Sequence, residues 1–227
     1  SALLSIDKFL LKSFLNLNDI LVPKCIKIYN IEEAIDFFDL HGFPVVLKPN
    51  FKSGSLGVFY IENIKTLINC FNLTFKTTEL EYILIEKYIP GIQISSESII
   101  NNYNAYTYGI AERNYDLLDI TKPNIIENGG IQPFAESKLY YNKINNLIQK
   151  VAHLLGIKDG FLKGDLIISD NGDVYILEVA TRLSGGDFCE TLIPISLDFD
   201  YMKLCVLSSL NKINKFPPPD FKKFVSN

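Results

Sequence analysis

The chain has 227 residues, with 22 Lys plus Arg against 26 Asp plus Glu, for a formal charge of -4. That balance argues against a nucleic-acid or membrane-surface binder that relies on bulk charge, while leaving room for a local basic pocket. Hydrophobic residues make up 48% and charged residues 21%, which suits a folded protein and excludes disorder. No apolar run approaches the length of a membrane span, and Ser1–Lys8 lacks the basic-then-apolar layout of a secretion signal. Cys25, Cys70, Cys189 and Cys205 lie far apart, and the only histidines are His41 and His153. A zinc cage or disulfide framework is therefore not expected, and the cysteine usage suits a reducing, cytoplasmic setting.

Apolar spacing predicts a helix over 7–17, then an extended stretch over 24–29 after Val22-Pro23. A second helix is expected over 31–41, with Asn30 as its N-cap and Gly42 ending it. Strands follow at 44–48 and 58–61 across a Gly/Ser loop, then a helix over 63–71 and a strand over 81–88 stopped by Pro90-Gly91. Longer strands are expected at 92–100 and 105–113, a loop at 114–133, a helix at 136–155 and a hairpin at 162–180. Helix resumes from Asp187 to Leu210 with a break at Pro194. The expected organisation is an entry helix and linker (1–22), a small α/β lobe (23–90), a large lobe (91–212) and a tail (213–227). A ligand between two such lobes is the default expectation.

The hairpin places two carboxylates. With Asn171-Gly172 as a two-residue type I′ turn, Asp165 stands opposite Glu178, and Lys163 opposite Ala180, on one face. Arg182 would share that face two residues further on. Two facing carboxylates repel by roughly 3–4 kcal/mol at an effective dielectric near 20, so a cation between them is expected. Oxygen ligands without His or Cys suit Mg²⁺ or Mn²⁺. A solvent-facing hairpin, or a register slipped by one, is the alternative. Arg182 suits phosphate oxygens or a developing oxyanion, or else an ion pair with Glu178.

Lys48 ends a β-rich run and leads into Pro49-Asn50-Phe51-Lys52-Ser53-Gly54-Ser55-Leu56-Gly57. Such a loop lets backbone N–H groups approach phosphate, with lysine supplying charge, although a hairpin loop with a solvated lysine is the plainer reading of these residues alone. It is not a P-loop, because it joins two strands and no Gly-Lys-Ser/Thr follows.

Taken in order, several segments resemble the ATP-grasp superfamily of ATP-dependent carboxylate ligases, in particular its carbamoyl-phosphate-synthase-like branch. They are Asp7-Lys8, Gly42 to Pro49 with its glycine loop, Ile85-Glu86-Lys87-Tyr88-Ile89-Pro90-Gly91, Gly164-Asp165, and Ile176 to Gly186. The resemblance spans about residues 7–210 and implies an α+β fold, with nucleotide bound between the antiparallel sheets of two lobes. It implies that Lys8 and Lys48 hold ATP phosphates together with the Ser53-Gly54-Ser55 loop, and that the backbone of Glu86 to Ile89 reads the adenine as an inter-lobe hinge. Asp165 and Glu178 would bind Mg²⁺ or Mn²⁺, and Arg182 would stabilise the transferring phosphoryl group. Arg113, in Glu112-Arg113-Asn114-Tyr115, and the stretch 127–133 fall where relatives line the acceptor side. That makes Arg113 the candidate for the substrate carboxylate, or a strand-end arginine in solvent.

Two positions depart from the family pattern. Gln93 stands where many relatives have an acid for the ribose hydroxyls, and Ala180 replaces an Asn of the metal site, removing one oxygen ligand. Relatives also carry a further α/β domain ahead of Asp7, so the expectation is a piece of a longer protein, or a homo-oligomer. The implied function is a ligase joining a small carboxylate to an amine through an acyl phosphate. A carboxylate- or carbamate-phosphorylating synthase domain and a non-catalytic ATP-binding module are the alternatives.

Overall fold

Four helices start in one way. In the computed structural model, which describes residues 2–185, 187–213, 215–221 and 224–226, the side chains of Asp7, Asn30, Asn63 and Asp200 each accept from a backbone N–H three residues on, at 2.8–2.9 Å. Each such cap satisfies one of the N–H groups that a helix start leaves without a partner. The elements divide into two units. One holds 6–90 with 115–128, the other the described residues of 1–5, 91–114 and 129–227. A short helix, α1 (Ala2–Ile6), precedes them.

The first unit contains α2 (Lys8–Leu17), β1 (Cys25–Ile28), α3 (Ile31–His41), β2 (Val45–Lys48), β3 (Phe59–Ile61), α4 (Ile64–Phe75), β4 (Ile83–Lys87) and α5 (Leu118–Thr121). Its antiparallel sheet has the order β1-β4-β2-β3. Alternation gives the sheet two chemistries. Val45, Leu47, Ile83 and Ile85 join Ala34 and Phe37 of α3 and Leu67, Cys70 and Phe71 of α4 in one core. Lys48 and Glu86 project from the opposite face. The segment 115–128, which the sequence reading keeps with the large lobe, belongs to this unit. Tyr60 N donates to Pro123 O at 2.7 Å, and Lys122 pairs with Glu62 at 2.9 Å.

The second unit is built on β5 (Gly91–Asn101), β6 (Asn104–Arg113), β7 (Gly130–Gln132), α6 (Ser137–Leu154), β8 (Gly160–Ser169), β9 (Val174–Ala180), α7 (Ile193–Leu197), α8 (Tyr201–Ser209) and β10 (Val225–Ser226). Its sheet order is β10-β7-β6-β5-β8-β9. The stretch read as a loop (114–133) thus contains both α5 and β7, and the tail supplies the edge strand β10. Residues 214, 222, 223 and 227 of that tail, and Gly186 of the last motif, lie outside the described residues.

Two local expectations need correction. Pro194 does not break its helix. A π-helical turn (Phe188–Leu192) runs straight into α7, where Pro194 sits in the first turn and its missing N–H is no loss. The interruption falls instead at 198–200, before Asp200 caps α8.

The β8–β9 turn is the second. Gly172 N donates to Ser169 O and Ser169 N to Asp173 O, so the loop is Asp170-Asn171-Gly172, with Gly172 at φ +77. Near the turn Leu166 pairs with Ile176 and Ile168 with Val174, but Asp165 pairs with Glu178 and Lys163 with Ala180, with Leu177 as the extra residue of a bulge. The physical reason lies inside the sheet. This register buries Val174 and Ile176 together with Leu166 and Ile168, whereas the two-residue turn would put Tyr175 and Leu177 there.

Candidate active site

In the first unit the polar face of the sheet carries a buried charge cluster. α2 lays Leu11 and Leu15 into the interior, and the same stripe delivers Lys12, which is 3% exposed. Lys12 Nζ lies 3.0 Å from Glu86 Oε1, and Lys48 Nζ lies 2.7 Å from Glu86 Oε2. Cys25 pairs with Glu86 across the β1–β4 ladder. Burial alone would raise the Glu86 carboxyl; the two ammonium groups outweigh it and hold Glu86 below its ordinary range. Burial takes Lys12 down to about 8 against the pull of Glu86. Lys48 goes the other way, because Glu86 outweighs the same penalty. The Cys25 thiol is pushed up by burial and by the Glu86 charge.

Lys8, one turn before Lys12, directs its ammonium at the loop after β2, donating to Lys52 O at 2.7 Å and Asn50 O at 3.3 Å. Asn50 closes the connection by accepting from Phe9 N at 3.0 Å. Ser53, Gly54 and Ser55 are exposed on that loop. The loop ends at Gly57, whose φ is +72 and where a Cβ would come within 2.5 Å of Thr77 Oγ1. Beyond Glu86, Lys87 Nζ donates to Gly42 O and Phe43 O at 2.9 and 3.1 Å, so its charge is used within the unit. The Lys87 and Tyr88 amides donate to Lys24 and Pro44 carbonyls, and the Tyr88 ring meets Tyr60 edge-on. Ile89 is half-buried, one residue before the chain leaves this unit.

In the second unit a row across the sheet reads Ala111, Ser95, Asp165, Glu178. Asp165 is held on both oxygens: Arg113 Nη1 lies 3.0 Å from Oδ1 and Lys163 Nζ 2.7 Å from Oδ2. Two cationic side chains of the protein thus partner the Asp165 member of the facing pair. Arg113 is half-buried and paired with Asp165. Gln93, on β5 opposite Ile167, is half-buried. Arg182 departs from the expected placement, because β9 ends at Ala180. The arginine is exposed beyond the strand and donates to Leu183 O at 2.9 Å. Among the described residues no group of three or more His, Cys, Asp or Glu side chains gathers as a metal cage. The carboxylates that face each other on this sheet are Asp165 and Glu178.

Glu97 is a residue the sequence reading did not single out. It is fully buried on β5, its Oε2 accepts from Ser184 N at 3.1 Å and from the Ser184 hydroxyl, its Oε1 has no hydrogen-bond partner among the described residues, and the Cys189 thiol lies near the carboxyl. Burial pushes it up to about 7 despite the Ser184 donors. Lys12 had a readable signal, a lysine at i+4 from Lys8 inside the Leu11/Leu15 stripe. Glu97 had only an acid within a β-rich run.

Residues 5–186 match the profile of the ATP-grasp domain. The chain is 27% identical over 175 residues to the carbamoyl phosphate synthase large chain of Clostridium botulinum, covering 73% of this chain and 15% of that protein. It is 28% identical over 189 residues to D-alanine–D-alanine ligase of Azobacteroides pseudotrichonymphae, covering 80% of this chain and 57% of the relative. Among solved structures, the biotin carboxylase domain of Hydrogenobacter thermophilus 2-oxoglutarate carboxylase, a dimer in complex with MgADP, ADP and bicarbonate, superposes with a TM-score of 0.75 at 20% identity, over 98% of this chain and 49% of that one. The chain therefore spans only part of the proteins it matches. No helix among the described residues is long and apolar enough to cross a membrane. With its two antiparallel sheets and the matched profile, the chain belongs to the ATP-grasp family.

Proposed function

We propose that this chain is the nucleotide- and metal-handling part of an ATP-dependent ligase that joins a small carboxylate to an amine through an acyl phosphate. The observation that carries the reading is the buried cluster around Glu86. Two ammonium groups share one carboxylate there, leaving a positive charge for an anion such as a nucleotide phosphate. In this reading Lys48 and Lys8 bind phosphate oxygens with the Ser53-Gly54-Ser55 loop, the chain at Glu86 to Ile89 binds the adenine, and Gln93 binds the ribose.

Asp165 and Glu178 fit Mg²⁺, which takes one or two carboxylates together with substrate phosphates and water. Mg²⁺ held there would neutralise phosphate charge. Arg113 and Lys163 then act as counter-ions that keep Asp165 in place, and Arg113 becomes available to the substrate carboxylate when Asp165 turns to the metal. The substrate carboxylate oxygen attacks the γ-phosphorus and ADP departs; the amine then attacks the acyl carbon and inorganic phosphate departs. Arg182 steadies the transferring phosphoryl group. Positioning and charge neutralisation carry such a reaction, and no protein nucleophile is needed. The MgADP bound to the similar carboxylase domain supports the nucleotide and metal. The match to carbamoyl phosphate synthase supports a second reading, a phosphorylating domain of a longer synthase.

Mg·ATP at 100 times its Kd should raise the stability of the chain by about 2.7 kcal/mol, measured as a thermal shift. Glu178→Gln should remove the Mg²⁺-dependent part of that gain with little change in the ligand-free melting curve. Lys48→Ala should weaken binding more than Lys52→Ala. No shift at millimolar Mg·ATP would refute the assignment, and ADP release across a panel of carboxylates and amines separates turnover from binding alone.

A further inference from the structure

We infer that Lys12 is a positioning residue for the nucleotide site, a stationary counter-ion that keeps the buried Glu86 carboxylate paired while Lys48 is drawn to the nucleotide. The inference rests on the nucleotide reading above and deepens it. Glu86 receives one ammonium on each oxygen, Lys12 from α2 and Lys48 from β2. All three residues are at most 8% exposed, so none of these charges can be left to water. A Lys48 shared with phosphate weakens its hold on Glu86, and a buried carboxylate without a partner is strongly unfavourable. Lys12 removes that obstacle, because its contact is with the other oxygen and it is anchored on a helix that does not carry Lys48.

The cluster is also linked to protons. The groups facing Lys12 are Glu86 on β4, Lys48 on β2 and Cys25 on β1, with Lys24 beside it around a small cavity of about 110 Å³. Lys12 sits near 8 because burial and the neighbouring Lys48 charge oppose its proton. An anion arriving at the cluster, and Lys48 turning toward it, both favour the charged form of Lys12. Binding should therefore draw a proton onto Lys12 when the pH lies above about 8.

The test is calorimetric titration of the chain with Mg·ATP at pH 7 to 9.5, in buffers of different ionisation enthalpy. At pH 8–9 the nucleotide phosphates are already fully ionised, so proton uptake reports the protein. The wild type should take up a substantial fraction of one proton at pH 8–9, and its Kd should rise over the same range with a slope equal to that uptake, at most about tenfold per pH unit. Lys12→Met should bind about tenfold or more weakly at pH 7, with no uptake and a flat pH profile. Lys12→Arg, which stays charged throughout, should bind without uptake and without the alkaline loss. Wild-type binding with no proton uptake at pH 8–9 overturns the inference on its own, whatever the variants do. So does Lys12→Met with unchanged affinity and uptake. Absence of wild-type binding at every pH refutes the nucleotide reading itself and takes this inference with it.

Discussion

Glu86 in the first unit and Glu97 in the second are both buried glutamates on central strands, 3% and 0% exposed, yet they carry opposite electrostatics. Glu86 has an ammonium at each oxygen and is held ionised. Glu97 has two neutral donors from Ser184 on one oxygen, a thiol close to the carboxyl, and a carboxyl raised to about 7. Burial penalises both charges. What separates them is that two ammonium groups lie against Glu86 itself, whereas the hydrogen bonds to Glu97 come from Ser184 and the Lys163 charge across the β5–β8 ladder does not outweigh burial. One glutamate is a fixed charge of the fold, and the other changes its charge close to neutral pH.

Three substitutions act on that contrast. Glu86→Gln strands two buried ammonium groups and should cost about 3–5 kcal/mol at pH 7. The loss should shrink at pH 9 and above as Lys12 sheds its proton, and denaturant melts at the two pH values check it. Glu97→Gln should do the reverse. Because Glu97 is raised in the folded state from 4.5 to about 7, the stability it contributes is full below pH 4.5 and is lost as the pH climbs to about 7. The amide variant should therefore lack this slope and be more stable than wild type by about 3 kcal/mol at pH 8. A pH profile of unfolding free energy identical to wild type would show that Glu97 does not titrate as described. The smallest effect belongs to Cys189→Ser, which puts a stronger donor near the Glu97 carboxyl. Its stability at pH 8 relative to pH 5 should improve by about 1 kcal/mol.

The legible part of the fold is its local part. Asn30, Asn63 and Asp7 are caps whose chemistry lies within three residues, and α3 ends at Gly42 as its sequence directs. Non-local choices were not legible. Residues 115–128 carry turn chemistry that says nothing of which sheet they join, and only the Tyr60–Pro123 hydrogen bond and the Phe59–Asn124 bridge decide it. The candidate site was legible only in part. The Asp165–Glu178 pair was reached from a two-residue turn, and it stands because the extra loop residue and the bulge at Leu177 offset each other, which no spacing rule reveals. That Arg113, fifty-two positions from Asp165, would be its counter-ion depends on β6, β5 and β8 lying side by side, which no local pattern encodes. Arg182 was placed by extending an alternation past the end of its strand.

The β8–β9 hairpin has a consequence for how such a chain can change length. Its three-residue loop and the bulge at Leu177 are separate one-residue excesses on the same strand pair. Removing Asn171 leaves Ser169 facing Asp173, and removing Leu177 leaves Leu166 facing Ile176 and Asp165 facing Glu178. Either deletion preserves which residues confront each other on both sides of it, at the expense of local twist alone. The hairpin thus holds two spare residues. Insertions and deletions can accumulate at its tip and at position 177 while the acidic pair keeps its register, so length variation there carries no information about whether the chemistry has been kept.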